Sequence, residues 1–138
     1  MDLADALRYA REHTQGVIVT LKRDGRPQLS NIAYAVGDDD IVRISVTADR
    51  AKAANAKREP RVSLYVTAED FWSYVVIEGT AELSPVAADP QDATVEELIA
   101  QFRVIQGEHD DWDAFRRAMV DDRRLVLRLR PERAYGMD

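Results

Sequence analysis

The sequence predicts an α+β domain, a mainly antiparallel β-barrel of about six strands with short flanking helices. Three observations lead there. Short runs of β-forming residues are separated by turn signals, Asp24-Gly25, Asp38-Asp39-Asp40 and Glu69-Asp70 among them. Helical patterns are set apart at the start, once in the middle and as a pair before the last strand. The βαβα alternation of a parallel nucleotide-binding sheet is missing, as are the G-x-G-x-x-G and Walker phosphate loops.

Taken in order, Leu3 to Arg11 reads as a helix with Leu3, Leu7 and Ala10 on one face. Val17 to Leu21 is a strand, and Asp24-Gly25 turns it back into a partner strand, Gln28 to Val36. Ile41 to Thr47 is a third strand. Asp49 to Glu59 is a short helix that Asp49 caps and Pro60 ends. Val62 to Thr67 and the long run Trp72 to Leu83 are strands, with Gly79 a bend or bulge in the second. Pro85 and Pro90 bracket a loop. Thr94-Val95-Glu96-Glu97 resembles a capping box for a helix with Val95, Leu98, Phe102 and Ile105 on one face, closed by Gly107. Asp110 or Asp111 starts the next helix, which turns Trp112, Phe115 and Met119 inward. Leu125 to Leu129 is the last strand, and Pro131 stops it.

A chain of 138 residues makes one domain, 1–138, large enough for a real core. Its net charge of −6 argues against a nucleic-acid partner. Without cysteine, disulfides, iron–sulfur ligation and thiol catalysis are excluded. No apolar run is long enough to span a membrane and no signal peptide is recognisable, so no membrane insertion and a cytoplasmic location are expected.

Against this acidic background stands one basic cluster, Arg50-Ala51-Lys52 through Lys57-Arg58. Cations in a first helical turn oppose the helix dipole, at about 0.3–1 kcal/mol per charge unless an anion sits there. Free amides with Arg50 and Lys52 at a helix start suit a phosphate, and Asn55 lies one turn beyond. The alternative is a solvated basic helix. Gln28, Ser30 and Asn31 are three hydrogen-bonding side chains in four residues of an otherwise apolar strand. They fit a polar ligand or an edge strand facing water. Trp72 and Tyr74, at strand spacing, form an aromatic wall for a flat heterocycle, or a core or subunit-interface pair. His13 and His109 have no metal-ligand spacing, so no metal is expected. No acid, base or nucleophile stands out, and the catalytic residue stays unknown. Binding features without reactive side chains suit a protein whose cofactor carries the chemistry.

These strings together resemble the split-barrel flavin/deazaflavin oxidoreductases, the relatives of pyridoxamine 5′-phosphate oxidase. The first match runs from Gly16-Val17-Ile18 through Asp24-Gly25-Arg26-Pro27-Gln28-Leu29-Ser30-Asn31. Arg50-Ala51-Lys52 with Asn55, Asp70-Phe71-Trp72-Ser73-Tyr74 and Glu78-Gly79-Thr80-Ala81 follow. Gly107-Glu108-His109, Asp121-Asp122-Arg123-Arg124 and Ala134-Tyr135-Gly136 complete the set. The chain is most similar to the branch that uses coenzyme F420.

The resemblance implies a split-barrel homodimer with two cofactor sites between subunits. It places phosphate contacts at Arg50 and Lys52 with Asn55 nearby, ring and ribityl contacts at Gln28, Ser30 and Asn31, and Ser45 and Thr47 on the strand leading in. Trp72 and Tyr74 would reach across from the second subunit. Ala54 and Ala56 depart from the pattern, since relatives often carry arginine and a bulky apolar residue there. The first weakens the hold on an oligoglutamate tail, for which Lys57 and Arg58 could compensate. The activity implied is hydride transfer from reduced F420 to a small electrophilic organic substrate. The alternatives are an FMN-dependent oxidase or reductase on the same barrel, or an F420-binding protein without turnover.

Overall fold

The computed structural model describes residues 1–137. The elements run α1 (Leu3–Arg11), β1 (Gln15–Leu21), β2 (Pro27–Ala33), β3 (Ala35–Val36), β4 (Val42–Thr47), α2 (Ala51–Arg58) and β5 (Arg61–Thr67). β6 (Tyr74–Leu83), α3 (Ala93–Gln106), α4 (Trp112–Asp121) and β7 (Arg124–Met137) complete them. All strands pair antiparallel in one seven-stranded sheet of order β2-β1-β5-β6-β7-β4-β3. The expected α+β class with a mainly antiparallel split barrel and short flanking helices is therefore what forms, as a curled half-barrel of seven strands where about six were expected.

The strand count rises because the run Gln28 to Val36 is not one strand. Tyr34 breaks it: its side chain is buried, its N–H bonds to the Thr14 carbonyl and its hydroxyl donates to the Ala10 carbonyl at 2.7 Å. β2 stays with β1 while β3 joins β4, at opposite ends of the strand order. One residue thus carries the chain across the mouth of the sheet and curls it.

Alternation divides the sheet into two faces. Ile18, Val42, Ile44, Val46, Leu64, Val66, Val75, Ile77, Leu125, Leu127 and Leu129 point into the principal core. Helix α1 adds Ala6, Leu7 and Ala10, and α2 adds Ala53 and Ala56. On the outer face, α3 lies over β4 and β7 and builds a second, smaller core from Ala87, Val95 and Ile99, with Trp112, Phe115 and Met119 packed against it.

Four local expectations are corrected. Pro131 does not end β7, which continues to Met137. Gly79 faces Pro131 and Glu78 faces Arg133, so Glu132 is the extra residue of a bulge where proline needs no ladder N–H. The expected irregularity at Gly79 is real: a Cβ there would collide with the Arg130 carbonyl. Asp92, not Thr94, caps α3; its carboxylate accepts from Val95 N–H at 2.9 Å, while the Thr94 hydroxyl donates to the Pro85 carbonyl. Arg50 itself is the N-cap of α2, with no side-chain cap bond, so Asp49 lies outside the helix. Finally, β6 begins at Tyr74. Trp72 sits in a turn, where its N–H bonds to the Asp70 carboxylate, because Asp70 closes the chain on itself before a ladder can form.

Candidate functional site

A cavity of about 620 Å³ opens between the curled ends of the sheet and the α3–α4 pair. Its polar end is lined by Asn31 of β2, Ser45 and Thr47 of β4, Arg50 and Lys52 of α2, and Arg124 of β7. Its other wall is apolar and aromatic: Leu98, Phe102 and Ile105 of α3 with Phe115 and Met119 of α4. Five of the sequence-chosen residues thus come together, Asn31 from β2 and the others from β4 and the start of α2, although β2 and β4 lie far apart in the strand order.

The elements position them simply. Ser45 and Thr47 share the outward face of β4, and Thr47 pairs with Arg124 in the ladder. Arg50 N–H bonds to the Thr47 carbonyl, a tight turn that seats the start of α2 at the end of β4. Among the described residues neither Arg50 nor Lys52 takes part in an ion pair. Burial, and then the neighbouring Arg50 and Arg124, hold the Lys52 ammonium below the usual lysine range. A bound anion would relieve that repulsion on Lys52.

The wall is held by one carboxylate. Glu97 of α3 accepts from Arg43 Nε at 2.8 Å and from Arg128 Nε and Nη2 at 2.8 and 2.6 Å. The Arg128 contact foremost, and Arg43 after it, keep its pKa low against the effect of burial. Arg128 also holds Glu82, and Arg43 holds Asp39, whose carboxyl is lowered to about 2 mainly by that contact. This chain of pairs fixes α3 above the outer face of the sheet.

The remaining candidates lie elsewhere. Gln28, Ser30 and Asn55 form a chain of bonds inside the fold. Asn55 Nδ2 donates to Thr20, Thr20 donates to Gln28 Oε1, and Gln28 Nε2 donates to Ser30. They do not line the cavity that Arg50 and Lys52 share. Lys57 lines a different, alanine-walled groove on the far side of α2, together with Ala54. Arg58 is tied to the Leu21 carbonyl and to Asn55. Trp72 is 74% exposed and stacks edge-on against Phe71. Tyr74 packs against Tyr65, their ring centroids 5.7 Å apart.

Sequence reasoning gave neither Gln101 nor Arg124 a role in the site, although Arg124 stands in the string Asp121-Asp122-Arg123-Arg124 that helps carry the resemblance. Arg124 had a signal, since it begins the outward row Arg124, Val126, Arg128 at period two. Gln101 had none: it is a polar residue on a helix, and only the tertiary fold buries it to 5% exposure.

The outer face of β2, β1, β5, β6 and the C-terminal half of β7 lies away from α3 and α4. Register aligns Asn31, Val17, Tyr65, Val76 and Tyr135 in one row across five strands, with Leu29 and Val19 in the next. Leu29, Tyr135 and Met137 stand exposed on it. Asn31 belongs both to this face and to the cationic cavity.

Comparison with known proteins follows the same lines. The family model described as pyridoxamine 5′-phosphate oxidase matches residues 3–138. A conserved hypothetical protein from Mycobacterium tuberculosis superposes with a TM-score of 0.76 at 24% identity, over 100% of this chain and 85% of that one. An F420 reductase gives 0.65 at 24% identity, over 88% and 89%. The heme storage protein of Vibrio cholerae gives 0.69 at 16%, over 99% and 95%. At these identities the structural likeness is one of fold.

Proposed function

The chain belongs to the pyridoxamine 5′-phosphate oxidase family, and from that premise we propose that it is an oxidoreductase dependent on coenzyme F420. The observation that carries the reading is the single cavity with unpaired Arg50 and Lys52 at one end and an aromatic wall at the other. The residues fit a phosphorylated flavin-like cofactor. Arg50, Lys52 and the unblocked start of α2 would hold the phosphate. Ser45, Thr47 and Asn31 offer hydrogen bonds to the polyol and ring edge. Gln28, Ser30 and Asn55 would support β2 from within, and Lys57 remains a candidate for the tail only by way of the far groove. When bound, F420 would supply a hydride to a small electrophilic organic substrate.

What the chain itself contributes is placement. No carboxylate, histidine or tyrosine among the described residues lines the cavity, so the proton of the product would come from water. The uncovered sheet face fits a second copy of the chain, because Leu29, Tyr135 and Met137 are exposed there. A homodimer seated on that face would bring the partner's surface to Asn31 and so close the cavity's mouth. The Phe71-Trp72 turn and Tyr74 would join that interface. The whole chain, 1–138, would act as a single cofactor-binding domain.

One observation favours FMN as a second reading. Asp49, Asp121 and Asp122 flank Arg50 and Arg124 in the recess beside the cationic end. Three carboxylates there repel an oligoglutamate tail, which F420 carries and FMN lacks. Fluorescence titration with F420 and FMN side by side decides between them. Tighter F420 binding is expected; FMN binding with no measurable F420 affinity would replace the first reading by the second.

A further inference from the structure

Among the described residues, two buried side-chain atoms have no hydrogen-bond partner, Arg124 Nε and Gln101 Oε1, and both residues line the same cavity. A donor and an acceptor left without partners in the walls of one cavity are costly, and such groups mark where a ligand or water belongs. The contrast with the neighbouring arginines is sharp. Arg43 and Arg128 point outward on the same part of the sheet and are bonded to carboxylates at 2.6 to 2.8 Å. Arg124 has only Ser45 Oγ at 3.4 Å, and its closest carboxylate, Asp122, stands 4.0 Å from Nε.

We propose that Arg124 is a third cation of the anion site, donating from β7 to the same phosphate that Arg50 and Lys52 face from α2. The sharp turn into β7 serves this placement. Arg123 takes φ 53 and gives its carbonyl to Ala48 N–H, so the first residue of β7 is set beside Thr47 and the start of α2. A planar guanidinium fits two phosphate oxygens at once, which Lys52 as a point charge does not. The proposal uses the cofactor reading only for the identity of the anion.

The test measures F420, FMN and riboflavin affinity by fluorescence for wild type, Arg124→Met and Arg124→Lys. Arg117→Gln, an exposed arginine on α4, serves as control. Arg124→Met should weaken F420 or FMN about tenfold or more, leave riboflavin within about twofold, and be partly rescued by Arg124→Lys. An equal loss for riboflavin and FMN, or no loss for the phosphorylated cofactors, overturns it. If Arg124→Met does not fold, the ratio of FMN to riboflavin affinity in Arg124→Lys decides, an unchanged ratio counting against. If no cofactor binds wild type, the cofactor reading fails and pyrophosphate alone judges the anion site. A rise in wild-type melting temperature that Arg124→Met or Arg124→Lys diminishes supports it; no rise, or an equal rise, refutes it.

Discussion

Replacing Glu97 by glutamine should loosen the wall of the cavity by a calculable amount. Glu97 accepts three charge-assisted bonds from Arg43 and Arg128 at 2.6 to 2.8 Å, and its side chain is 17% exposed. Removing one partner of a fully buried ion pair costs about 3–5 kcal/mol. Here both arginines keep another carboxylate, Asp39 and Glu82, and the glutamine retains one acceptor. The loss should therefore be about 2 kcal/mol at neutral pH, or about 6 °C in Tm for a domain of this size. Urea and thermal unfolding at fixed protomer concentration measure it, with exposed Glu12→Gln as control. The sign of the pH dependence is fixed by the lowered pKa of Glu97. Its stabilisation is complete above the unfolded value of about 4.3 and fades as pH falls through the folded one. The gap between wild type and variant should shrink on acidification. A gap below about 0.5 kcal/mol at pH 7, within the usual range for surface substitutions, would refute the anchoring role, as would a gap that widens in acid.

Three further outcomes are expected. Gly79→Ala should destabilise by about 1–3 kcal/mol in urea unfolding, because the added Cβ meets the Arg130 carbonyl at the bulge. Lys52 should lose its proton below the usual lysine value of about 10.4, so the affinity for pyrophosphate or a phosphorylated cofactor should fall as pH rises toward it. In the same window the unliganded protein should gain stability, since the unfolded chain then binds the extra proton. Tyr135→Glu, at the β7 end of the bare sheet face, should shift the proposed dimer toward monomer in sedimentation experiments while the far-ultraviolet spectrum stays unchanged.

Most strands were legible because alternation is a local property. Ile18, Leu64, Ile77 and Leu127 declare the inner face from their own neighbours. The break at Tyr34 was not, since a buried tyrosine that bonds Ala10 and Thr14 depends on a helix distant in sequence. Proline at position 131 misled because a bulge, not a strand end, supplies the missing donor's place. The cationic half of the candidate site could be read as a charge conflict at a helix start. Its aromatic half could not: Phe102 and Phe115 look like core residues from spacing, and only the placement of α3 by Glu97 turns them toward Arg50. Trp72 and Tyr74 share a face only if the strand starts early, and Asp70 prevents that.

The central claim is that Arg50 and Lys52 hold the phosphate of a flavin-like cofactor. Fluorescence titration of wild type and of the Arg50→Ala, Lys52→Ala double variant with F420 and with FMN tests it directly. Among the described residues both side chains lack an internal hydrogen-bond or ion-pair partner, so the fold should survive. The cofactor that wild type binds should lose affinity by at least about a hundredfold, two charge-assisted contacts being removed. Equal affinity in wild type and the double variant would contradict the claim.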